Sequence, residues 1–136
     1  ASVLAGRCDL SRDGIAAFLK RSRADAGRYR NVNPRYVFFR ESADGPRGSI
    51  GSVLVPGRSV ATDQSVIPVG MIGFITAVNP GRGGGGSIER FVAVHDTGNA
   101  IRGNHVDVFF GSGPDARSVA ERTRVYGRIL LLVPKR

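Results

Sequence analysis

Two aspartates eleven positions apart, Asp96 and Asp107, are the residues of this sequence best suited to chemistry. They bracket Thr97-Gly98-Asn99-Ala100-Ile101-Arg102-Gly103-Asn104-His105-Val106, a segment whose Gly and Asn content marks a turn. Asp107 falls inside an apolar run, with Val106 before it and Val108-Phe109-Phe110 after it. A carboxyl group in such surroundings tends to lose its water, and desolvation raises its pKa. A carboxylic acid that keeps its proton near neutral pH is what a general acid for cleaving a sugar bond requires. An unpaired buried carboxylate is costly, so Asp107 must point away from the core or into a groove. Asp96 follows the apolar run 91–94, where Asp-Thr-Gly also suits a turn whose aspartate bonds its own backbone. A third aspartate, Asp63, ends the run 59–62 and alone reads as a strand-terminal turn former.

Other chemistries find little support. His95 and His105 flank the same segment, but their spacing to the aspartates is not a metal-ligand pattern and no cysteine joins them. No metal or cofactor is expected. No Gly-x-Ser-x-Gly elbow occurs, so a serine nucleophile is not indicated. The glycine-rich stretch 79–87 lacks the Gly-Lys-Ser/Thr ending of a phosphate cradle, and reads as a surface loop. With three Tyr, seven Phe and no Trp, mostly within strand-like runs, stacking on nucleic acid is not expected. Tyr36, Phe38 and Phe39 share one strand-like run and read mostly as core by alternation, while the outward face of that run could offer an aromatic platform to a sugar.

The elements that must position these residues are mostly short strands. Residues 11–26 read as a helix, with Ser11 as N-cap, Asp13 in the first turn, Ile15, Phe18, Leu19 and Ser22 at helical spacing, and Gly27 as the stop. Asn33-Pro34 breaks the chain there. Strand-like runs follow at 36–40, 50–55, 59–62, 72–78, 91–95, 105–110 and 127–133, with Gly and Pro between them. A short helix at 114–124 (Ala116, Val119, Ala120, Thr123) precedes the last run. Such a series argues for a small β-barrel or sandwich.

The bulk properties fit. A chain of 136 residues makes one domain, or one domain and a fragment. Twenty Lys and Arg against eleven Asp and Glu give a net charge of +9, which favours polyanionic partners such as nucleic acid, membrane surfaces or wall polymers. No apolar run approaches the ~18 residues of a membrane span. Cys8 is alone and reads as an ordinary small residue rather than a lipoprotein box, because Arg7 precedes it. No secretion signal is seen in this chain.

Several motifs occur in order: Asn33-Pro34-Arg35-Tyr36-Val37-Phe38-Phe39-Arg40-Glu41, Gly45-Pro46-Arg47-Gly48-Ser49-Ile50-Gly51, Pro56-Gly57-Arg58-Ser59-Val60-Ala61-Thr62-Asp63, Ile67-Pro68-Val69-Gly70, His95-Asp96-Thr97-Gly98 and Val106-Asp107-Val108-Phe109-Phe110-Gly111. The series resembles the three-aspartate (3D) domain of the membrane-bound lytic transglycosylase A family, over residues 10–133. The resemblance implies a mainly β fold, a six-stranded double-psi β-barrel over residues 33–136, with residues 1–32 as a lead-in left from a preceding domain. It implies non-hydrolytic cleavage of the β-1,4 bond between N-acetylmuramic acid and N-acetylglucosamine in peptidoglycan, leaving 1,6-anhydro ends. Asp107 would be acid and then base, with Asp96 in support. Asp63, Thr97, Gly98, Ala100, Arg102 and Tyr36 would serve substrate binding, Asp63 in the more structural role. The family has Gly-Gly where this chain has Gly98-Asn99, a mild change if that position needs φ > 0. Family members also carry a second domain that forms the glycan groove with this one, so such a domain or a partner chain is expected, and the location would be periplasmic or at the outer membrane. The residues alone also allow an inverting glycan hydrolase using Asp107 and Asp96, or an expansin-like barrel that binds wall polysaccharide without cutting it.

Overall fold

The computed structural model describes residues 4–21, 23–32, 34, 38, 40–78 and 87–135. They fall into two compact units, 1–41 and 42–136. The expected strand at 36–40 and the glycine-rich loop at 79–87 lie largely outside the described residues, and Phe38 and Arg40, which are described, are not in a strand.

In the first unit α1 spans Arg12–Arg21 and α2 spans Arg23–Arg30. Ser11 caps α1: its Oγ accepts the Gly14 N–H at 3.1 Å. Asp9 in turn accepts the Ser11 hydroxyl and N–H, which holds the Asp9 carboxyl below its usual range. The helix expected to stop at Gly27 runs through it to Arg30. A glycine lowers helix propensity by only about 1 kcal/mol. An edge-to-face contact of Phe18 with Tyr29, centroids 5.5 Å apart, favours the extra turn.

The second unit is built on one five-stranded sheet. Its strands are β1 (Ser59–Thr62), β2 (Ile72–Val78), β3 (Ile88–Thr97), β4 (Val106–Val108) and β5 (Tyr126–Leu131), in the order β4-β1-β3-β2-β5. Strands β1 and β3 run parallel, and every other neighbour is antiparallel. Alternation explains the core. Val60 of β1, Ile75 and Ala77 of β2, and Ile88, Val92 and Val94 of β3 turn to one face and are buried with Ile67. Val106, Val108, Ile129 and Leu131 pack against that cluster from the two edge strands. Strands β4 and β5, at opposite ends of the strand order, both line one cavity of about 680 Å³ floored by Ile75, Ala77 and Ile88. The sheet therefore curls into a half-barrel.

One expectation needs correction in this unit, whose described residues form five strands. Residues 50–55 are not a strand: Gly51 N–H donates to the Gly48 carbonyl and Gly48 N–H to the Ser52 carbonyl, closing a turn, with a single bridge from Arg47 to Val53. The turn chemistry of Gly48-Ser49-Ile50-Gly51 outweighs the β propensity of Ile50, Val53 and Val55. The late helix α3 covers Pro114–Arg122, begins with Pro and buries none of its side chains.

Candidate active site

The sheet register brings the two distant aspartates into one row. Ala61 of β1 is paired with Asp107 of β4 on one side and with Asp96 of β3 on the other. Residues in register project to the same face of a sheet. Asp107, Ala61 and Asp96 therefore share the face opposite the Val60 core, and two strand spacings put the aspartate backbones about 10 Å apart. Ala61 between them is small, so little side chain fills the space. A concavity of about 270 Å³ is lined there by Asp96, Asp107, Ala61, Thr97, Ile101 and Phe109, among others.

A bulge makes this row possible. Val60 pairs with Val94, but Ala61 pairs with Asp96, so His95 is an extra residue in β3. Without it Ala61 would meet His95, and Asp96 would align with Thr62 and point to the core. His95 is tied down by Ser59, whose Oγ lies 2.9 Å from Nδ1 and accepts the Val55 N–H at 2.8 Å. Ser59 is completely buried.

Each aspartate has its own fixing. Asp96 is half-buried, and its Oδ1 accepts the Ser49 N–H at 2.9 Å. Ser49 can come this close because Gly48 packs directly on the His95 carbonyl. Asp63, just beyond β1, accepts Gly103 N–H at 2.8 Å, Ser65 N–H at 3.0 Å and the Ser65 hydroxyl at 2.8 Å. The Gly103 bond first, then those from Ser65 and the nearby Arg102 charge, hold its carboxyl below the usual range. Asp107 is the exposed one, with 60% of its side chain open to solvent. The desolvation expected from its apolar neighbours is absent, because alternation sends Val106 and Val108 inward and Asp107 outward. His105 Nε2 lies 3.0 Å from Asp107 Oδ1.

The residues singled out in the sequence divide accordingly. Asp96, Asp107 and Thr97 line the concavity together. Gly98 packs on the side chain of Ile101, which is buried and forms part of the same lining. Ala100 and Arg102 are exposed on the turn and are not in that lining. Asp63 faces the turn backbone. Tyr36 lies outside the described residues. No described non-glycine residue has positive φ, so Asn99 does not use the left-handed freedom that would have excused it. Nothing in the local sequence marks Ser49 or Ser59 as site residues, and the sequence points to His105 only as a possible metal ligand. For His105 a signal existed: residues two apart in a strand share a face.

The row of paired aspartates and the bulge lie within a stretch of the chain that a known domain family matches. The family model for the 3D domain matches residues 58–133, and the chain belongs to that family. Among individual proteins, it is similar to the membrane-bound lytic murein transglycosylase A of Vibrio cholerae, with 39% identity over 101 residues, 71% of this chain and 27% of that protein. Of solved structures, MltA from Neisseria gonorrhoeae aligns with TM-score 0.74 and 32% identity, covering 91% of this chain and 32% of that one. MltA from E. coli with bound chitohexaose aligns with TM-score 0.70 and 26% identity, covering 98% and 42%. The chain thus spans about a quarter to two-fifths of the relatives it matches.

Proposed function

We propose that this domain is the catalytic part of a peptidoglycan lytic transglycosylase, with Asp107 as its single acid/base. The observation that carries this reading is the row Asp107–Ala61–Asp96, with an exposed carboxyl at one end and an anchored one at the other. Asp107 gives its proton to the glycosidic oxygen as the bond from C1 of N-acetylmuramic acid to that oxygen breaks. The C6 hydroxyl oxygen of the same sugar then bonds to C1, and its proton returns to Asp107. Electrons and protons balance with no water and no external base. Asp96, held by Ser49, steadies the positive charge that develops on the sugar. Thr97, Gly98, Ala100 and Arg102 contact the glycan, Asp63 holds their turn, and Tyr36 offers a ring face to a sugar.

The names of the relatives, which include lytic murein transglycosylase and a chitohexaose complex, support a β-1,4-linked amino-sugar polymer as substrate. A net charge of +9 suits an anionic wall. The half-barrel with both edge strands on one cavity supports a six-stranded double-psi barrel as the complete fold, over residues 33–136, with 1–32 as lead-in. A second domain or partner chain completes the glycan groove. The location is the cell envelope, in keeping with the "membrane-bound" of the relatives' names; no helix among the described residues is long and apolar enough to cross a membrane.

One observation favours a second reading. A backbone separation of about 10 Å suits the ~6.5–9.5 Å carboxyl spacing of inverting glycosidases, in which Asp96 would activate water. Mass spectrometry of purified peptidoglycan digested with this domain separates the two. Anhydro-muropeptides that disappear in Asp107→Asn support the transglycosylase. Reducing ends support the hydrolase, and binding without cleavage rejects both.

A further inference from the structure

The geometry points to His105 as the positioning residue of Asp107, assigning different work to the two oxygens of that carboxyl. In its kinetic arm this inference rests on the transglycosylase reading. His105 precedes β4 and lies two residues before Asp107, so an extended backbone puts both side chains on the outward face. Its Nε2 is 3.0 Å from Oδ1 of Asp107. The surroundings supply no other such contact among the described residues. Strand β1 brings Ala61 into register and Asp63 at its end, β3 brings Asp96 beyond Ala61, the turn brings Arg102, and the larger cavity that His105 and Asp107 also line brings Arg124, Tyr126 and Arg128. Asp63 and Asp96 are engaged by the Gly103 and Ser49 N–H groups respectively.

A carboxylate is an acceptor only, so the imidazole must donate from Nε2. A neutral ring with its proton on Nε2 does this without carrying charge. The same donor serves both halves of an acid/base cycle. When Asp107 is protonated, Oδ1 is the carbonyl oxygen and accepts from His105 while Oδ2 bears the acid proton. When Asp107 is ionised, Oδ1 accepts unchanged and Oδ2 receives the proton. The histidine thereby turns an exposed carboxyl, free to rotate in solvent, into one with a fixed Oδ2 facing the groove.

The test uses His105→Ala and His105→Gln, the latter keeping an N–H donor on a side chain of similar reach. On peptidoglycan, kcat falls roughly ten- to hundredfold in His105→Ala, the worth of a hydrogen bond to a charged group. KM changes by less than about twofold, and His105→Gln recovers most of the rate. Independently of cleavage, long-range proton–nitrogen NMR reads the His105 ring. The expected result is the Nε2–H tautomer at neutral pH, with ring-nitrogen shifts that move in Asp107→Asn. An Nδ1–H tautomer, ring shifts indifferent to Asp107→Asn, or full activity of His105→Ala would overturn the assignment. A wild-type chain that cleaves nothing would remove the transglycosylase reading and leave the NMR result to decide this one.

Discussion

Gly48→Ala tests how Asp96 is held. A Cβ at this position would come within 2.1 Å of the His95 carbonyl oxygen, 2.8 Å of its carbon and 3.1 Å of Leu54 Cδ2. The first two are backbone atoms of the bulge in β3, which is locked by Val94 pairing and by Ser59, so the 48–51 turn must lift instead. Lifting it breaks the 2.9 Å bond from Ser49 N–H to Asp96. A hydrogen bond to a charged group contributes about 1.5–3 kcal/mol, and residual crowding adds about 1 kcal/mol. The expected loss is about 2–4 kcal/mol, which for a unit of this size lowers Tm by roughly 10–25 °C. Gly51→Ala is the control. It has open space around it but φ of +80°, so it costs only the ~1–2 kcal/mol of a left-handed non-glycine residue. Thermal and urea unfolding of both variants, alone and in an Asp96→Ala background, measure the difference. In that background Gly48→Ala should cost less by the share of the lost bond. A Gly48→Ala melting no lower than Gly51→Ala, or a cost unchanged by Asp96→Ala, would refute the clamp.

Two further outcomes follow from the same geometry. Asp63 has a lowered carboxyl pKa, so its stabilisation is fully present above the ordinary aspartate value near ~3.9 and is lost as pH falls through the lower folded value; Asp63→Ala should therefore lower Tm at neutral pH, and the gap from wild type should close in acid. Thr62 is completely buried and donates its hydroxyl to the Ile67 carbonyl at 2.7 Å; Thr62→Val keeps the shape, leaves that carbonyl without the bond, and should cost about 1–3 kcal/mol in urea unfolding.

How far the sequence reveals this site depends on whether the determining contact is local. Strands β1, β2 and β3 were visible because Val60, Ile75, Ala77, Val92 and Val94 recur at the period of two that a half-buried sheet imposes. The same period, applied to Val106-Asp107-Val108, predicts the outward Asp107; the desolvation argument failed because apolar neighbours in sequence are on the other face. The bulge at His95 has no local signature. It exists only because β1 lies parallel beside β3, and it alone decides which face Asp96 takes. The Ser49–Asp96 bond spans 47 positions and is fixed by the space left at Gly48, which no local pattern encodes. Residues 50–55 were misread because Gly48 and Gly51 close a turn that propensity alone does not weigh. The helix stop at Gly27 was misread for the converse reason: a weak local penalty yielded to the Phe18–Tyr29 contact.

The central claim is that Asp107 drives bond cleavage with the sugar's own hydroxyl as nucleophile. Digesting peptidoglycan in water enriched with oxygen-18 and weighing the new ends tests this most directly. The account predicts 1,6-anhydro ends with no oxygen-18, formed by wild type and absent with Asp107→Asn. Reducing ends carrying one oxygen-18 each would contradict it and transfer the second role to Asp96 and water.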